Sequence, residues 1–265
     1  MSTALRPSRN DDNFGAEQPV PALDSLPPAV PRPVQWKRLY QQLAILWEGE
    51  PAKVLDAAFS TGDSIGGMSE ERLIQRILAT AQGRALYARQ SSLTDCLANR
   101  DELREMPAGS LGREFLAFAE RHGLDPRALI ERQHEMSRDY SSLDPLRQWF
   151  SDRFTVMHDL WHVLSGYDAT HSGESALMCF SLPQRVNDRA IPIFILMSTL
   201  SGRIAPRSVR EAIRRGKRAK RLAGEPVEDL LPLPLAQARE ELGISDPHAS
   251  HRHHSTADML IPSAP

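Results

Sequence analysis

The chain has 265 residues, and its 32 Lys and Arg stand against 34 Asp and Glu, so its charge is close to balanced. That balance gives no global reason to expect a nucleic-acid partner or long-range steering of a charged ligand. Two cysteines, Cys96 and Cys179, are too few for a disulfide framework and suit a reducing compartment.

Residues 1–34 are polar and rich in proline (Pro7, Pro19, Pro21, Pro27, Pro28, Pro31 and Pro33). Such a segment buries too little apolar surface to offset its ordering entropy, so a disordered tail is expected. It has no apolar signal core, and Asp11, Asp12 and Glu17 argue against a transit peptide. With no apolar run long enough to cross a bilayer, the expectation is a cytoplasmic protein. Trp36, Tyr40, Leu43, Ala44 and Trp47 follow helical spacing, and Pro51 breaks the run. Ser69 is a candidate cap ahead of Glu70, Glu71 and an apolar stripe. Leu111, Phe115, Leu116 and Phe118 form another helical face that ends near Gly123.

No segment alternates with the β-branched enrichment a strand requires, so the expected fold class is all-α. A single helical domain is expected over 35–245. Residues 246–265, with His248, His251, His253 and His254, read as a second disordered tail able to hold metals only loosely.

Residues 146–167 carry the chemistry. Phe150, Phe154, Met157, Trp161 and Leu164 make one apolar stripe, and Ser151, Thr155, His158, His162 and Ser165 make a polar seam beside it. A helix apolar around most of its circumference is normally buried, which makes the seam informative. His158 and His162 sit four apart on one side, where two imidazoles can share a metal at about 2 Å. After the turn GYDATHSG, Glu174 falls in the first turn of a new helix that reads ESALMCFSL, placed to face the histidines. Two His, one Glu and an open position form a common catalytic zinc arrangement. Asp159, about 100° round the helix from His158, can complete the coordination, orient a histidine or act as a base; spacing leaves all three open. The bland alternative is a pair of hydrogen-bonded core histidines. Burying four ionisable groups without a cation would be expensive, which favours the metal.

HDLWH followed by eleven residues and Glu174 resembles the signature of the coenzyme Q biosynthesis protein 4 family. RFTVMHDLWHVLSGYDATHSGESAL resembles its central block, and GRALYARQSSL, MPAGSLGREFLAF and RRGKRAKRLAGEPVEDLLPLPLAQAREELGI resemble flanking segments, over roughly residues 68–245. The resemblance implies an all-α, dimeric protein, peripheral on the inner face of the cell membrane. It implies a metal, usually zinc, bound through His158, Asp159, His162 and Glu174, with Asp159 managing a proton. The implied activity is that of a carbon–carbon lyase of the 4-hydroxy-3-methoxy-5-polyprenylbenzoate decarboxylase type, acting in ubiquinone biosynthesis and in some accounts coupled to hydroxylation. The implied partners are a polyprenylated aromatic substrate and other quinone-biosynthesis enzymes. A rival reading is a prenyl-lipid-binding scaffold whose metal is structural. A zinc peptidase is disfavoured, because Asp159 reaches a metal-bound water less readily than the glutamate used there.

Arg203, Arg207, Arg210, Arg214, Lys217 and Arg221 are spaced to form one basic helical face, suited to anionic lipid headgroups or simply to solvent. His171 reads as a solvated loop histidine. Leu177, Phe180, Ile193, Phe194, Leu196 and Met197 are explained by core packing.

Overall fold

The computed structural model describes residues 28–245, and the two terminal segments expected to be disordered lie outside them except for residues 28–34. Among the described residues the chain is all-α, with two isolated bridges and no strand. In chain order, the helices are α1 (Trp36–Glu48), α2 (Pro51–Ser64), α3 (Ser69–Leu78), α4 (Ala81–Ala88), α5 (Leu93–Ala98) and α6 (Arg100–Glu105). They continue with α7 (Leu111–His122), α8 (Pro126–Met136) and α9 (Pro145–Ser165). The last four are α10 (His171–Ser181), α11 (Ala190–Leu200), α12 (Pro206–Arg218) and α13 (Leu235–Leu242).

Local chemistry sets these boundaries. Side chains of Ser110, Asp125, Asp144 and Thr170 accept backbone N–H groups at the starts of α7, α8, α9 and α10. Gly123 and Gly166, both left-handed, end α7 and α9. Ser69 is not a cap. Met68 holds that position, and Ser69 is the first helical residue, with its hydroxyl turned to Asp188. Pro51 likewise opens α2, because Gly49 has already ended α1 in a left-handed turn.

The 21-residue α9 runs through the middle of the fold and touches α3, α5, α7, α8, α10 and α13. Its Phe150, Leu160 and Leu164 are fully buried, each worth about 1.5–3 kcal/mol of transfer from water. They join Phe115 of α7 and Leu177 and Phe180 of α10 in the interior. Arg153, which the sequence did not single out, is also buried there and paired with Glu228.

The α1–α2 hairpin is packed differently. The apolar cluster beneath it has three buried members, Leu39, Ile65 and Ala190. Polar clasps fasten it to the body: Arg132 of α8 to Asp56, Arg138 to Asp63, and Arg38 to the Met136 carbonyl, while Arg38 also ties α1 to α2 through Asp63. Residues 28–34, expected in the tail, are instead held here, since Arg32 exchanges both backbone hydrogen bonds with Gly67 and its Nε lies 2.9 Å from Asp139. Trp36, Tyr40 and Trp47 are the exposed stripe of α1, and Leu39 and Leu46 are its buried one. Helix α11 departs from the core packing expected of it: Leu196 and Leu200 are exposed, Ile193, Phe194 and Met197 are half-buried, and only Ala190 and Ile191 are interior.

Candidate metal centre

The helix α9, the turn after it and the start of α10 build the site. Gly166 reverses the chain, so Tyr167 returns its carbonyl to His162, whose Nδ1–H donates to it over 3.0 Å. Thr170 then caps α10 and fixes Glu174 in the first turn. His162 Nε2 lies 3.0 Å from one oxygen of Glu174, and His158 Nε2 lies 3.3 Å from the other. The two Nε2 atoms are 3.3 Å apart. The His162 side chain is 1% exposed against 36% for His158 and 23% for Glu174, so His162 is the inner member and the other two face the cavity. Phe118 of α7 stacks on the His162 ring at 5.4 Å and fixes its plane.

His158, His162 and Glu174 are the set, among the described residues, whose donor atoms converge within 4.8 Å, as a single divalent cation requires. The Tyr167 carbonyl satisfies Nδ1 of His162 and leaves Nε2 to serve as the ligand atom, the usual support for a metal-bound histidine. The residues therefore fit the ion. Asp159 lines the same cavity but does not belong to the converging set. Burial pushes its carboxyl up, against the opposing pull of His158 and His162. Cys179 on α10 is buried, burial pushes its thiol up to about 12, and it does not belong to the converging set.

The electrostatics of the metal-free cluster are one-sided. Burial would lower His162, but the charge of Glu174 and its hydrogen bond carry the imidazole up to about 9. Burial would raise Glu174, but His162 and His158 hold it below the ordinary carboxylate range. The raised histidine stabilises the fold fully below about pH 6.5 and loses that contribution as pH rises through about 9. The depressed glutamate contributes above about pH 4.5 and loses that contribution as pH falls. A metal must displace the His162 proton, so affinity for zinc is expected to climb about tenfold per pH unit from pH 6.5 to 8.5. Competition against a chromogenic chelator at three pH values checks this, and a flat profile would mean that His162 is already neutral.

The cavity beside the cluster measures ≈ 690 Å³. Leu46, Val54 and Leu55 of the hairpin, Leu129 of α8, and Phe194 and Met197 of α11 supply apolar wall. His171 is the first residue of α10, not a loop residue, and it lines this cavity with Glu174. Of the six basic residues expected on one face, Arg207, Arg210, Arg214 and Lys217 are exposed on α12. Arg203 precedes that helix and binds the end of α1, while Arg221 follows it and binds the Pro183 carbonyl. The buried Arg215, absent from the expected face, braces the turn after α9 by donating to the Ser165 carbonyl (2.7 Å).

Gly173 sits where a side chain cannot. A Cβ there would collide with the Asp168 carbonyl and carboxylate. Gly173→Ala is expected to shift the start of α10, and Glu174 with it, and to weaken metal binding by about 10–100-fold. Titration with zinc beside a melting curve separates loss of the site from loss of the fold.

The described residues thus form an all-α chain in which two histidines and one glutamate converge at the wall of a mostly apolar cavity. The family described as coenzyme Q (ubiquinone) biosynthesis protein Coq4 matches residues 51–248, and the chain belongs to it. It is similar to the ubiquinone biosynthesis protein COQ4, mitochondrial, of Komagataella phaffii, at 24% identity over 66% of this chain and 57% of the relative. The Eremothecium gossypii protein of the same name is 27% identical, over 67% of this chain and 54% of the relative. The chain thus spans a little over half the length of these curated relatives. A crystal structure from Nostoc punctiforme shares the fold, with TM-score 0.56 and 16% identity over 81% of this chain and all of that one.

Proposed function

We propose that this chain acts in ubiquinone biosynthesis as a carbon–carbon lyase, removing the ring carboxylate of a polyprenylated 4-hydroxybenzoate intermediate, with zinc held by His158, His162 and Glu174. The observation that carries this reading is the juxtaposition of the three converging ligands with the ≈ 690 Å³ cavity walled by leucine, phenylalanine and methionine. An aromatic acid with an apolar tail needs both surfaces at once. The names of the relatives support the pathway.

A metal bound there supplies a Lewis acid that stabilises negative charge on a substrate oxygen. The protein's own groups do the rest. The apolar walls hold the tail and exclude water from the ring. Asp159, beside His158 in the cavity, holds the proton the reaction consumes. The bond from ring carbon to carboxylate breaks, its electron pair stays on the ring carbon, and carbon dioxide leaves. That carbon takes the proton of Asp159, which is refilled from solvent.

The reading includes peripheral contact with a membrane. Among the described residues no helix is long and apolar enough to cross one. Leu55, half of whose surface is exposed, belongs to the cavity wall, and Trp36, Tyr40 and Trp47 are also exposed on the hairpin. A tail longer than the cavity leaves past Leu55. Incubating the zinc-loaded protein with a prenylated 4-hydroxybenzoate labelled at the carboxyl carbon is expected to release labelled carbon dioxide, and Asp159→Asn to slow release by about 100-fold or more. Tight binding of metal and acid with no release would replace the enzyme with a lipid-binding scaffold.

A further inference from the structure

Arg203 differs from the other arginines near the cavity. It lies between α11 and α12 and lines the cavity together with His158, Asp159 and Glu174. The same side chain borders a second hollow of ≈ 460 Å³, formed with Tyr167, Asp168 and Ser172. Its Nη1 donates to the Leu46 carbonyl (2.9 Å) and its Nη2 to the Trp47 carbonyl (2.6 Å). These bonds use two of the five N–H donors a guanidinium carries. Arg132 in the cavity wall faces the carboxylates of Asp56 and Glu135. Arg203 forms no ion pair among the described residues, and burial alone holds its guanidinium below the ordinary value. A cation drawn partly out of water without a counter-ion is costly, and a bound anion removes that cost.

Its surroundings show which way the anion would lie. A methyl built on Gly49 would sit 2.8 Å from Arg203 Nη2 and 3.2 Å from His171 Cε1, so the two side chains are neighbours across that glycine. Gly49 has φ +73°, which suits glycine and leaves the gap open. His171 precedes Glu174 by three residues on α10, one turn away on the same side. Arg203, His171 and Glu174 thus form a continuous strip of the wall from the unpaired cation to the metal ligands.

We infer that Arg203 is the carboxylate anchor of this cavity, taking the ring carboxylate of the aromatic acid and selecting acids over the corresponding phenols. The inference rests on the proposed substrate class and adds the group that reads its charge. A guanidinium matches the two oxygens of a carboxylate in a fixed fork. It holds the ground state at least as firmly as a transition state whose charge is moving into the ring. Its effect therefore falls on recruitment and orientation, and it shows in KM more than in kcat. The product, having lost its carboxylate, loses this hold.

The test uses the full-length, zinc-loaded protein with two probes, 3-geranyl-4-hydroxybenzoate and 2-geranylphenol, measured by calorimetry. The wild type is expected to bind the acid about 10–100-fold more tightly than the phenol. Arg203→Gln should abolish that preference while leaving phenol affinity and zinc stoichiometry unchanged. Arg203→Lys, which retains the charge and donors for the α1 carbonyls, should keep part of the preference, and it serves as the test if the glutamine variant does not fold. No preference in the wild type, or equal weakening of both probes in the variants, would leave Arg203 as a tie to α1 and overturn the inference. A preference that depends on Arg203 without carbon dioxide release would keep the anchor and discard the decarboxylation. Release with a preference indifferent to Arg203 would do the reverse.

Discussion

His162→Ala is expected to lower zinc affinity by more than about 100-fold and to remove turnover with it, because a supporting partner alone is worth about 10–100-fold and the proposed centre makes this residue a ligand. The reason lies in its place in the set. It is the buried member, its plane is fixed by Phe118, and its Nδ1 is committed to the Tyr167 carbonyl. Alanine also leaves that carbonyl without its partner, at a cost of about 1–3 kcal/mol to the metal-free fold. His158→Ala removes a proposed ligand that is 36% exposed, so it should cost comparable affinity with less stability. Metal content by mass spectrometry, on protein ending at Ser245 so that His248, His251, His253 and His254 contribute nothing, decides the matter. Stoichiometric zinc retained in His162→Ala would place the ion elsewhere.

Breaking the Arg153–Glu228 pair should produce the largest loss of stability from a change remote from the metal. The side chains are 2% and 8% exposed, and Arg153 also donates to the Glu225 carbonyl over 2.8 Å. Arg153→Ala strands a buried carboxylate and is expected to cost about 3–5 kcal/mol. For a chain of this size that corresponds to a fall of roughly 10 °C in Tm. The paired replacement Arg153→Met with Glu228→Leu should recover most of the loss, since two apolar groups of similar volume leave no unpaired charge. A double variant as unstable as the single one would show that packing, and not the stranded charge, sets the cost. Thermal melts with zinc held at one concentration make the comparison, because bound metal raises every Tm by mass action.

The centre was more legible in the sequence than its surroundings. The four-residue spacing of His158 and His162 fixes their common side, and a glycine-containing turn followed by a first-turn glutamate brings Glu174 back to them. That logic is local, and short-range chemistry carries it. The Tyr167 carbonyl was within its reach too, since Gly166 ends the helix one residue earlier. The cavity was not, because its walls come from helices distant in the chain. On α1 the residues Trp36, Tyr40 and Trp47 and the residues Leu39 and Leu46 both repeat at helical spacing, and periodicity does not say which stripe faces inward. The leucines took the interior and the aromatics the outside. Spacing likewise extended the basic face across Arg203 and Arg221, although Pro206 starts the helix after the first and Arg218 ends it before the second.

The thin packing of the α1–α2 hairpin has a kinetic consequence. His158, His162 and Glu174 rest on helices anchored in the main interior, whereas the hairpin that roofs them rests on a small apolar cluster built around Leu39, Ile65 and Ala190 and on a handful of ion pairs. A segment so lightly held opens by sub-global fluctuation long before the body unfolds. Amide hydrogens of α1 and α2 should therefore exchange faster than those of α9 by orders of magnitude, and added salt should quicken them by weakening the clasps. On the proposed function, a rigid ring with a long tail would enter and leave at the roof's breathing rate, and the floor that carries His158, His162 and Glu174 would keep its shape between visits.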